Sequence, residues 1–180
     1  VFKDGVLVAE DGTMVSRSIG VSSTPKKGVQ SSVRIKGIKS DAFMIRSNQA
    51  LAKVIQLIPD QIVTKKVMKN IVLKDGVALP DMKEDILKIA VMERHRATGN
   101  VGIGFVQGFG LKRGAIGSSV AHDSHNLVIV GTNDEDMLKA VITIKKMGGG
   151  LAVVSEGKIL ASLPLPIAGL MTDATVFQVN

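Results

Sequence analysis

The pattern of apolar and polar positions predicts a chain of short β-strands and one well-defined amphipathic helix. The helix is predicted over residues 133–147, where Met137, Val141 and Ile144, with Leu138 beside them, lie on one face. A stripe of this kind is typical of a helix that packs one side against a larger apolar surface.

Both ends of this helix carry sequence signals. Thr132, with Glu135 three residues later, resembles a capping box, and acidic residues fill the first turn. Lys145-Lys146 places positive charge in the last turn, and Gly148 follows as a C-terminal cap. The sequence therefore predicts where the helix begins and ends.

Apolar and β-branched runs predict strands elsewhere, and glycine turns separate several of them. Asp11-Gly12, Asp75-Gly76 and Glu156-Gly157 are hairpin-type turns. The predicted strands are residues 6–9, 14–15, 51–58, 67–73, 86–92, 151–154 and 158–163, of which 51–58 and 67–73 are equally compatible with short helices. Strand, helix and hairpin in this order predict an α+β fold, a layered domain with a mixed sheet and few helices.

A further strand is predicted over residues 120–130, because a β-branched run precedes Gly131. Side chains alternate faces along a strand. Asp123 and His125 would then share one face, and His122 and Ser124 the other.

This predicted strand contains two of the three histidines of the chain, in the sequence VAHDSHN. The third, His95, follows Glu93 in MERHRATGN, at the end of the strand predicted over 86–92. Histidine titrates near neutrality, so these segments are the candidates for proton transfer or metal binding. The alternative is that the histidines only form hydrogen bonds with neighbours at buried strand ends.

A complete metal site is not favoured by these residues. One ion could take Asp123 and His125 together, but His122 could join them only if the strand breaks. The chain has no cysteine and no His-x-His or His-Glu-x-x-His pair, whereas catalytic zinc usually takes three protein ligands. A proton-shuttling role, with Asp123 orienting an imidazole, fits better. The candidate catalytic residues are therefore His122, Asp123, His125, Glu93 and His95.

Composition sets the class of protein. With 180 residues, 45% of them hydrophobic, the chain can bury a core. No apolar run of membrane-spanning length and no signal peptide is present, and the absence of cysteine fits a reducing compartment, so we expect a cytoplasmic protein.

The net charge of +7 raises the question of nucleic-acid binding. The lysines are scattered, and the chain has neither Trp nor Tyr to stack on bases, which argues against it. A solvated basic surface, or a face that docks on an acidic partner, explains the charge better.

Seven glycines lie between residues 99 and 119. Their spacing matches neither the dinucleotide fingerprint nor a phosphate loop. The segment is predicted to be a flexible loop that folds over another domain, with anion binding by its backbone amides as the alternative.

Three long segments carry a family resemblance: residues 86–100, 108–137 and 148–173, with a looser match over 53–65. They closely resemble the C-terminal domain of adenine deaminases of the amidohydrolase superfamily. Residues 1–15 resemble the last strands of the small β-sandwich that accompanies the amidohydrolase barrel.

The resemblance implies four parts: residues 1–20 as the end of the β-sandwich, 21–34 as a linker, 35–173 as the C-terminal domain, and 174–180 as a tail, possibly truncated. The chain begins at Val1 without an initiator methionine, which indicates a fragment or a processed product.

The resemblance also implies a function. The family converts adenine and water to hypoxanthine and ammonia, with a divalent metal, manganese or iron, held by a barrel that this chain lacks. We therefore expect the barrel domain of the same enzyme and adenine as partners, a homo-oligomer, no nucleic acid and no membrane. The chain alone should be inactive and hold no metal. The alternative is a non-catalytic ligand-binding or oligomerisation module.

Overall fold

The computed structural model describes residues 1–3, 5–15, 29–30, 32–175 and 179. Within these residues the strands are accompanied by one α-helix, α1 (Asp134–Met147), and by a 3-10 helix (Ser40–Phe43). The strands are β1 (Phe2–Lys3), β2 (Val6–Leu7), β3 (Ala9–Glu10), β4 (Thr13–Met14), β5 (Ile45–Arg46), β6 (Leu51–Leu57), β7 (Thr64–Asn70), β8 (Val72–Lys74), β9 (Val77–Leu79), β10 (Ile86–Met92), β11 (Val101–Gln107), β12 (Ala115–Ser118), β13 (Leu127–Gly131), β14 (Gly150–Ser155) and β15 (Lys158–Pro164).

An eight-stranded sheet forms the centre of the molecule, in the order β15-β14-β12-β13-β10-β11-β6-β7. Its neighbouring strands are antiparallel except for β11 and β6, which run parallel. The sheet is therefore mixed, and the α+β fold predicted from the sequence is confirmed.

Helix α1 covers one face of this sheet over β12, β13 and β14. Its predicted apolar stripe is confirmed, because Met137, Val141 and Ile144 are completely buried. They pack with Leu127 and Ile129 of β13 in the largest core cluster. Burial of side chains of this size contributes about 1.5–3 kcal/mol each, so the helix layer stabilises this end of the sheet.

A three-stranded sheet, in the order β5-β9-β8, covers the other half of the same face. Ala78 of β9 packs with Val54 of β6 and Phe105 of β11 in a second core cluster. Val101 and Ile103 of β11 pack against the core cluster beneath the helix. They lie on the same face of β11 as Phe105, because side chains two residues apart in a strand point to the same side. The helix and the small sheet thus form one layer, and the opposite face of the large sheet is left largely uncovered by the described residues.

The N-terminus of α1 is capped one residue later than predicted. The side chain of Asn133, not Thr132, accepts a hydrogen bond from the backbone N–H of Asp136 at 2.8 Å. The Thr132 hydroxyl instead donates to the Gly114 carbonyl oxygen at 3.1 Å. The predicted capping box is therefore wrong, because the Thr132 hydroxyl is used to hold the preceding loop. Gly148 ends the helix in the left-handed conformation, as predicted.

Asp136 connects this helix to the β14–β15 turn. Its carboxylate accepts hydrogen bonds from the N–H groups of Glu156 and Gly157 at 3.1 and 2.8 Å. Burial raises the pKa of Asp136, but the hydrogen bonds from Asn133, Gly157 and Glu156 together outweigh it and lower the pKa below its ordinary value. The carboxylate therefore fixes the turn against the helix.

Lys88 provides a second polar connection inside the core. Its ammonium group is buried and donates to the Phe43 carbonyl oxygen at 2.9 Å and to Asp134 Oδ1 at 2.5 Å. The pair joins β10 to the first turn of α1, where a carboxylate is also favoured by the helix dipole.

The predicted glycine-rich flexible loop is wrong. Residues 101–107 and 115–118 are strands β11 and β12, both inside the large sheet. Gly117 faces the helix layer, where an added Cβ would meet Ile144 at 2.8 Å. Glycine is needed here for close packing between layers, and the backbone is fixed by hydrogen bonds on both sides.

Several predicted strand boundaries also change. Residues 120–126 are a loop, and the strand begins only at Leu127, so Asp123 and His125 do not alternate along a strand. Their positive φ angles of 71° and 47° are incompatible with an extended chain. The stretch predicted as 67–73 is divided between β7 and β8, and the N-terminal segment forms four two-residue strands.

The hairpin turns at Asp11-Gly12, Asp75-Gly76 and Glu156-Gly157 are confirmed, each with both residues at positive φ. Most of the predicted linker, and residues 176–178 and 180 of the tail, lie outside the described residues.

We predict that Gly131→Ala destabilises the fold. A Cβ at Gly131 would run into Cγ of Met137 and lie 3.1 Å from Cβ of Ala115, both buried. Overpacking of this kind costs about 1–3 kcal/mol, measurable by urea unfolding. Gly104→Ala is the matched control, because it is also in a strand and an added Cβ meets nothing within 4 Å. Equal effects of the two substitutions would contradict the packing argument.

Candidate functional site

The two histidine segments meet at one end of the large sheet. Strands β10 and β13 are antiparallel neighbours, and Met92, the last residue of β10, pairs with Leu127, the first of β13. The loop that leaves β10, residues 93–100, therefore lies beside the loop that enters β13, residues 119–126. The structure brings together the segments that the sequence singled out.

Arg94 connects the loops at this end. Its side chain is only 1% exposed and donates through Nε to the His125 carbonyl oxygen, through one terminal nitrogen to Ala168 at 3.1 Å, and through the other to Ser119 at 3.3 Å. Burial lowers the pKa of the Arg94 guanidinium from its ordinary value. Within the part of the chain that the structure describes, no carboxylate lies within ion-pair distance of it.

Ser119 extends this connection to the start of β14. Its completely buried hydroxyl donates to the Gly169 carbonyl oxygen at 2.5 Å and accepts from the Gly150 N–H at 2.7 Å. Gly169 also has to be glycine, because its φ is 70° and a Cβ would come within 2.8 Å of Arg94. We call Arg94, Ser119 and their carbonyl partners the arginine hub.

Glu93 orders the loop that follows β10. One carboxylate oxygen accepts from the N–H groups of His95 and Arg96 at 2.5 and 2.6 Å, and the other accepts from the N–H and hydroxyl of Thr98 at 2.9 and 3.0 Å. The hydrogen bonds from the Thr98 and Arg96 amides are the main reason that the pKa of Glu93 falls from 4.5 to about 2. Four donors use about all the lone-pair sites of a carboxylate, which favours a role in holding the loop.

His95 and His122 are the exposed histidines of the site. The His95 Nε2 donates to the Ser124 carbonyl oxygen at 3.0 Å, across the two loops. The His122 Nδ1 lies 3.0 Å from Asp123 Oδ1, and both side chains are more than 90% exposed. The predicted pairing of Asp123 with an imidazole therefore exists, although it involves neighbours in a loop and not residues on one strand face.

His125 is in a different environment. Its ring is partly buried, and its Nδ1, like Oδ1 of neighbouring Asn126, has no hydrogen-bond partner among the described residues. Its carbonyl oxygen is held by Arg94. His125 therefore lies on the inner side of the loop, whereas His122 and Asp123 point to solvent.

A cavity of about 290 Å³ adjoins the Glu93 loop. Met92 and Glu93 form one side, and Thr98 and Asn100 another. Residues 35–39 contribute the remaining wall. The cavity is large enough for a small polar molecule.

The described residues contain no group of three His, Cys, Asp or Glu side chains that could hold a metal ion. The described residues of this site therefore do not fit a metal centre. None of the helices in the described ranges is long and apolar enough to span a membrane.

The sequence pointed to both histidine segments but gave no sign of the arginine hub. Arg94 lies between two recognised candidates, and a charged residue after a strand gives no sign that it will be buried. Ser119 gave no signal either, because a serine in a glycine-rich run resembles an ordinary turn residue.

We predict that the Glu93 loop loses its order between pH 4.5 and about 2. Because the pKa of Glu93 is lowered on folding, its stabilising effect is complete above 4.5 and disappears as the pH falls through about 2. An NMR titration of the Glu93 carboxyl should have a midpoint near 2. Thr98→Val removes one donor and should move the midpoint upward, whereas a midpoint near 4.5 in the unmodified chain would contradict the observed contacts.

We predict that Arg94→Met is strongly destabilising. Methionine fills similar space but leaves three buried or partly buried carbonyl oxygens without the donors of Arg94, which should cost about 3 kcal/mol or more in urea unfolding. Arg96→Met is the control, because Arg96 is exposed two residues away and should change stability by less than about 0.5 kcal/mol. A similar small loss for both variants would show that the hub is not a stabilising connection.

Comparison with known proteins identifies the family. Residues 61–180 match the model of the adenine deaminase C-terminal domain. The whole chain is 49% identical to adenine deaminase 2 of Carboxydothermus hydrogenoformans and 48% identical to an adenine deaminase of Desulfatibacillum aliphaticivorans. An adenine deaminase of Methanothrix thermoacetophila is 44% identical over 99% of the chain. The chain spans 31% of the length of each of these relatives. It belongs to the adenine deaminase C-terminal domain family.

Proposed function

We propose that this chain is the C-terminal part of an adenine deaminase, which hydrolyses adenine to hypoxanthine and ammonia. The observation that carries the proposal is 49% identity along the whole chain to a protein with this name. Because the chain corresponds to 31% of that relative, the reaction is a property of the longer polypeptide.

In this proposal a divalent metal, manganese or iron, is held by a barrel domain outside the chain. The proposal is supported by the family of the chain, whose relatives are named adenine deaminases and extend well beyond the matched segment. When bound, such a metal supplies a water molecule activated for attack on the purine. The isolated chain should then release no ammonia from adenine.

The residues of this chain act on protons at the mouth of that site. His122 is the best candidate, because its ring is exposed and Asp123 lies 3.0 Å from its Nδ1. If Nδ1 donates to the carboxylate, Nε2 is free to accept or return a proton. His95, also exposed, is the second candidate, with its Nε2 already engaged by Ser124.

His125 and Glu93 have positioning roles in the same proposal. The buried, unpaired Nδ1 of His125 is available to a group contributed by the rest of the polypeptide. Glu93 keeps His95 in place through the backbone, because its carboxylate accepts the N–H of His95. In this proposal each of the five predicted site residues has a role. Of these five, His122, Asp123 and His95 are exposed and could contact a substrate.

The domain organisation stays a proposal as well. Residues 1–20 belong to the end of a β-sandwich, 21–34 to a linker, 35–173 to the C-terminal domain and 174–180 to its tail. The short paired strands β1 to β4 are consistent with the first part. We further propose a cytoplasmic enzyme that is a homo-oligomer.

The proposal predicts a specific loss of activity in His122→Gln of the full-length enzyme. Loss of a general acid or base should lower kcat by roughly a hundredfold. Asp123→Asn should lower it less, by about tenfold or more, because it only orients the ring. Neither change should lower the melting temperature, since both side chains are exposed.

The control is Arg113→Gln, which removes an equally exposed ion-pairing residue, 3.8 Å from Glu156, away from the site. It should leave kcat unchanged. Normal turnover of adenine by His122→Gln would overturn the proton-transfer role and favour the alternative of a non-catalytic module. Absence of adenine deamination by the unmodified full-length protein would overturn the proposed function itself.

A further inference from the structure

The uncovered face of the large sheet carries two rows of mainly apolar side chains. We define the open face by these rows, which follow from the pairing of neighbouring strands. The first row consists of Leu163, Leu151, Ser118, Val128, Val91 and Gly102, and the second of Ala161, Val153, Ile116, Val130, Ile89 and Gly104. Continuing the parallel register adds Leu51 to the first row and Lys53 to the second.

Side chains of the first row are exposed to a degree unusual for the middle of a sheet. Val91 and Leu151 are each 37% exposed, and Leu51 is 53% exposed. Val91 lies in β10, which has sheet neighbours on both sides and reads ILKIAVM, an almost continuous apolar run. Runs of this kind are typical of strands that are buried on both faces.

The other end of the same face is already covered. Leu87 and Val106 are buried there, together with Val130 at the adjoining edge of the second row, and Leu111 from the loop between β11 and β12 packs on this cluster. Burial on this face is therefore normal for the fold, and only the end near the arginine hub lacks a cover among the described residues.

The size of the open face is that of an interface. Seven strands at a spacing of about 4.8 Å and two side-chain rows enclose roughly 450 Å². This approaches the largest apolar patches of monomers and is more than half of the about 800 Å² that one partner buries in a standard interface. Gly102 and Gly104 leave a furrow along β11, since no atom except a distant backbone oxygen would meet their added Cβ atoms.

The positive charge of the open face and of the chain argues against a second copy of this chain as the partner that covers the face. The two rows of the open face carry Lys53 and, among the described residues, no carboxylate, and Lys66 lies in the adjoining row with Ile55 and Val106. Two copies of a chain of net charge +7 also repel each other as a whole. A partner that presents an apolar surface with carboxylates at its rim is complementary to this face.

We infer that the open face docks the remaining part of the longer polypeptide to which this chain belongs. The relatives carry more than two thirds of their length outside the matched segment, because the chain covers 31% of them. A tethered domain has an effective concentration in the millimolar range, which a separate molecule does not reach. The inference rests on the proposed function only in that the chain is part of a longer polypeptide.

The open face borders the candidate site. The first row of the open face includes Val91 and Val128, each next to the end of its strand from which a histidine loop extends. A domain docked on this row therefore also borders the loops of residues 93–100 and 119–126. The arginine hub holds these loops in one arrangement against such a partner.

Cysteine labelling of the full-length protein tests the inference, because this chain contains no native cysteine. Val91→Cys and Leu151→Cys report on the open face, and Ile142→Cys on the solvent side of α1 is the matched control with 40% exposure. Labelled peptides are identified by mass spectrometry in the native protein and in urea. In the native protein we expect both open-face positions to react at least about tenfold more slowly than the control, and all three to react equally in urea.

Equal native rates at all three positions would overturn the inference, because they would show that the face is uncovered. Slow labelling that becomes fast on dilution would also overturn it, since the cover would then be a second molecule. If Val91→Cys fails to fold, as judged by circular dichroism, Leu151→Cys alone decides. Labelling does not depend on adenine deamination, so the docking inference and the proposed function can fail separately.

Discussion

The arrangement of the candidate site depends on the hydrogen bonds of the buried Arg94 guanidinium. In the folded chain its N–H groups donate to three backbone carbonyl oxygens instead of to water. These oxygens belong to Ser119, His125 and Ala168. A buried charge is costly unless its donors are satisfied, so the favourable geometry exists only when all three segments are in place. The hub therefore couples the order of the histidine loop to the order of the segment around residue 168. Arginine suits this position because its planar fork spreads several donors in fixed directions.

A second constraint is the one-sided construction of the sheet. Helix α1 and the small sheet of β5, β9 and β8 together cover one face, and of the described residues the loop around Leu111 packs on one end of the other face. A 180-residue chain with apolar central strands then exposes the end of the sheet nearest the arginine hub. This explains why Val91 of β10 and Leu151 of β14, two strands inside the sheet, stay exposed.

The sequence predicted best where local signals decide the structure. The apolar stripe and Gly148 located α1, and paired turn residues such as Glu156-Gly157 located the hairpins, because left-handed turn conformations select these residue types. Prediction failed where tertiary packing overrides local preference. The glycines of β11 and β12 look like a loop in the sequence, but Gly117 lies where only a hydrogen atom fits beneath Ile144.

The candidate site shows the same division. Its five residues were found from the clustering of titratable groups, but their roles depend on contacts that spacing does not reveal. Glu93 accepts four hydrogen bonds within its own loop, and its lowered pKa reflects that use. The strong apolar run that follows residues 120–126 predicts that they too belong to a strand. Positive φ at Asp123 and His125 instead turns the chain, so that His125 faces inward and His122 outward.

This difference between neighbouring histidines has a chemical consequence. His122 and Asp123 are fully accessible to water, where a hydrogen-bonded pair gains little and its proton exchanges freely with solvent. An acid or base acts more strongly when water is excluded and its partner is fixed. The loop that carries the pair extends from a strand whose open face lacks a cover among the described residues, so a domain docked on Val91 and Val128, as proposed, would also exclude water from His122. In that proposal docking and proton transfer are one physical requirement, because the same contact would cover the open face and enclose the His122–Asp123 pair.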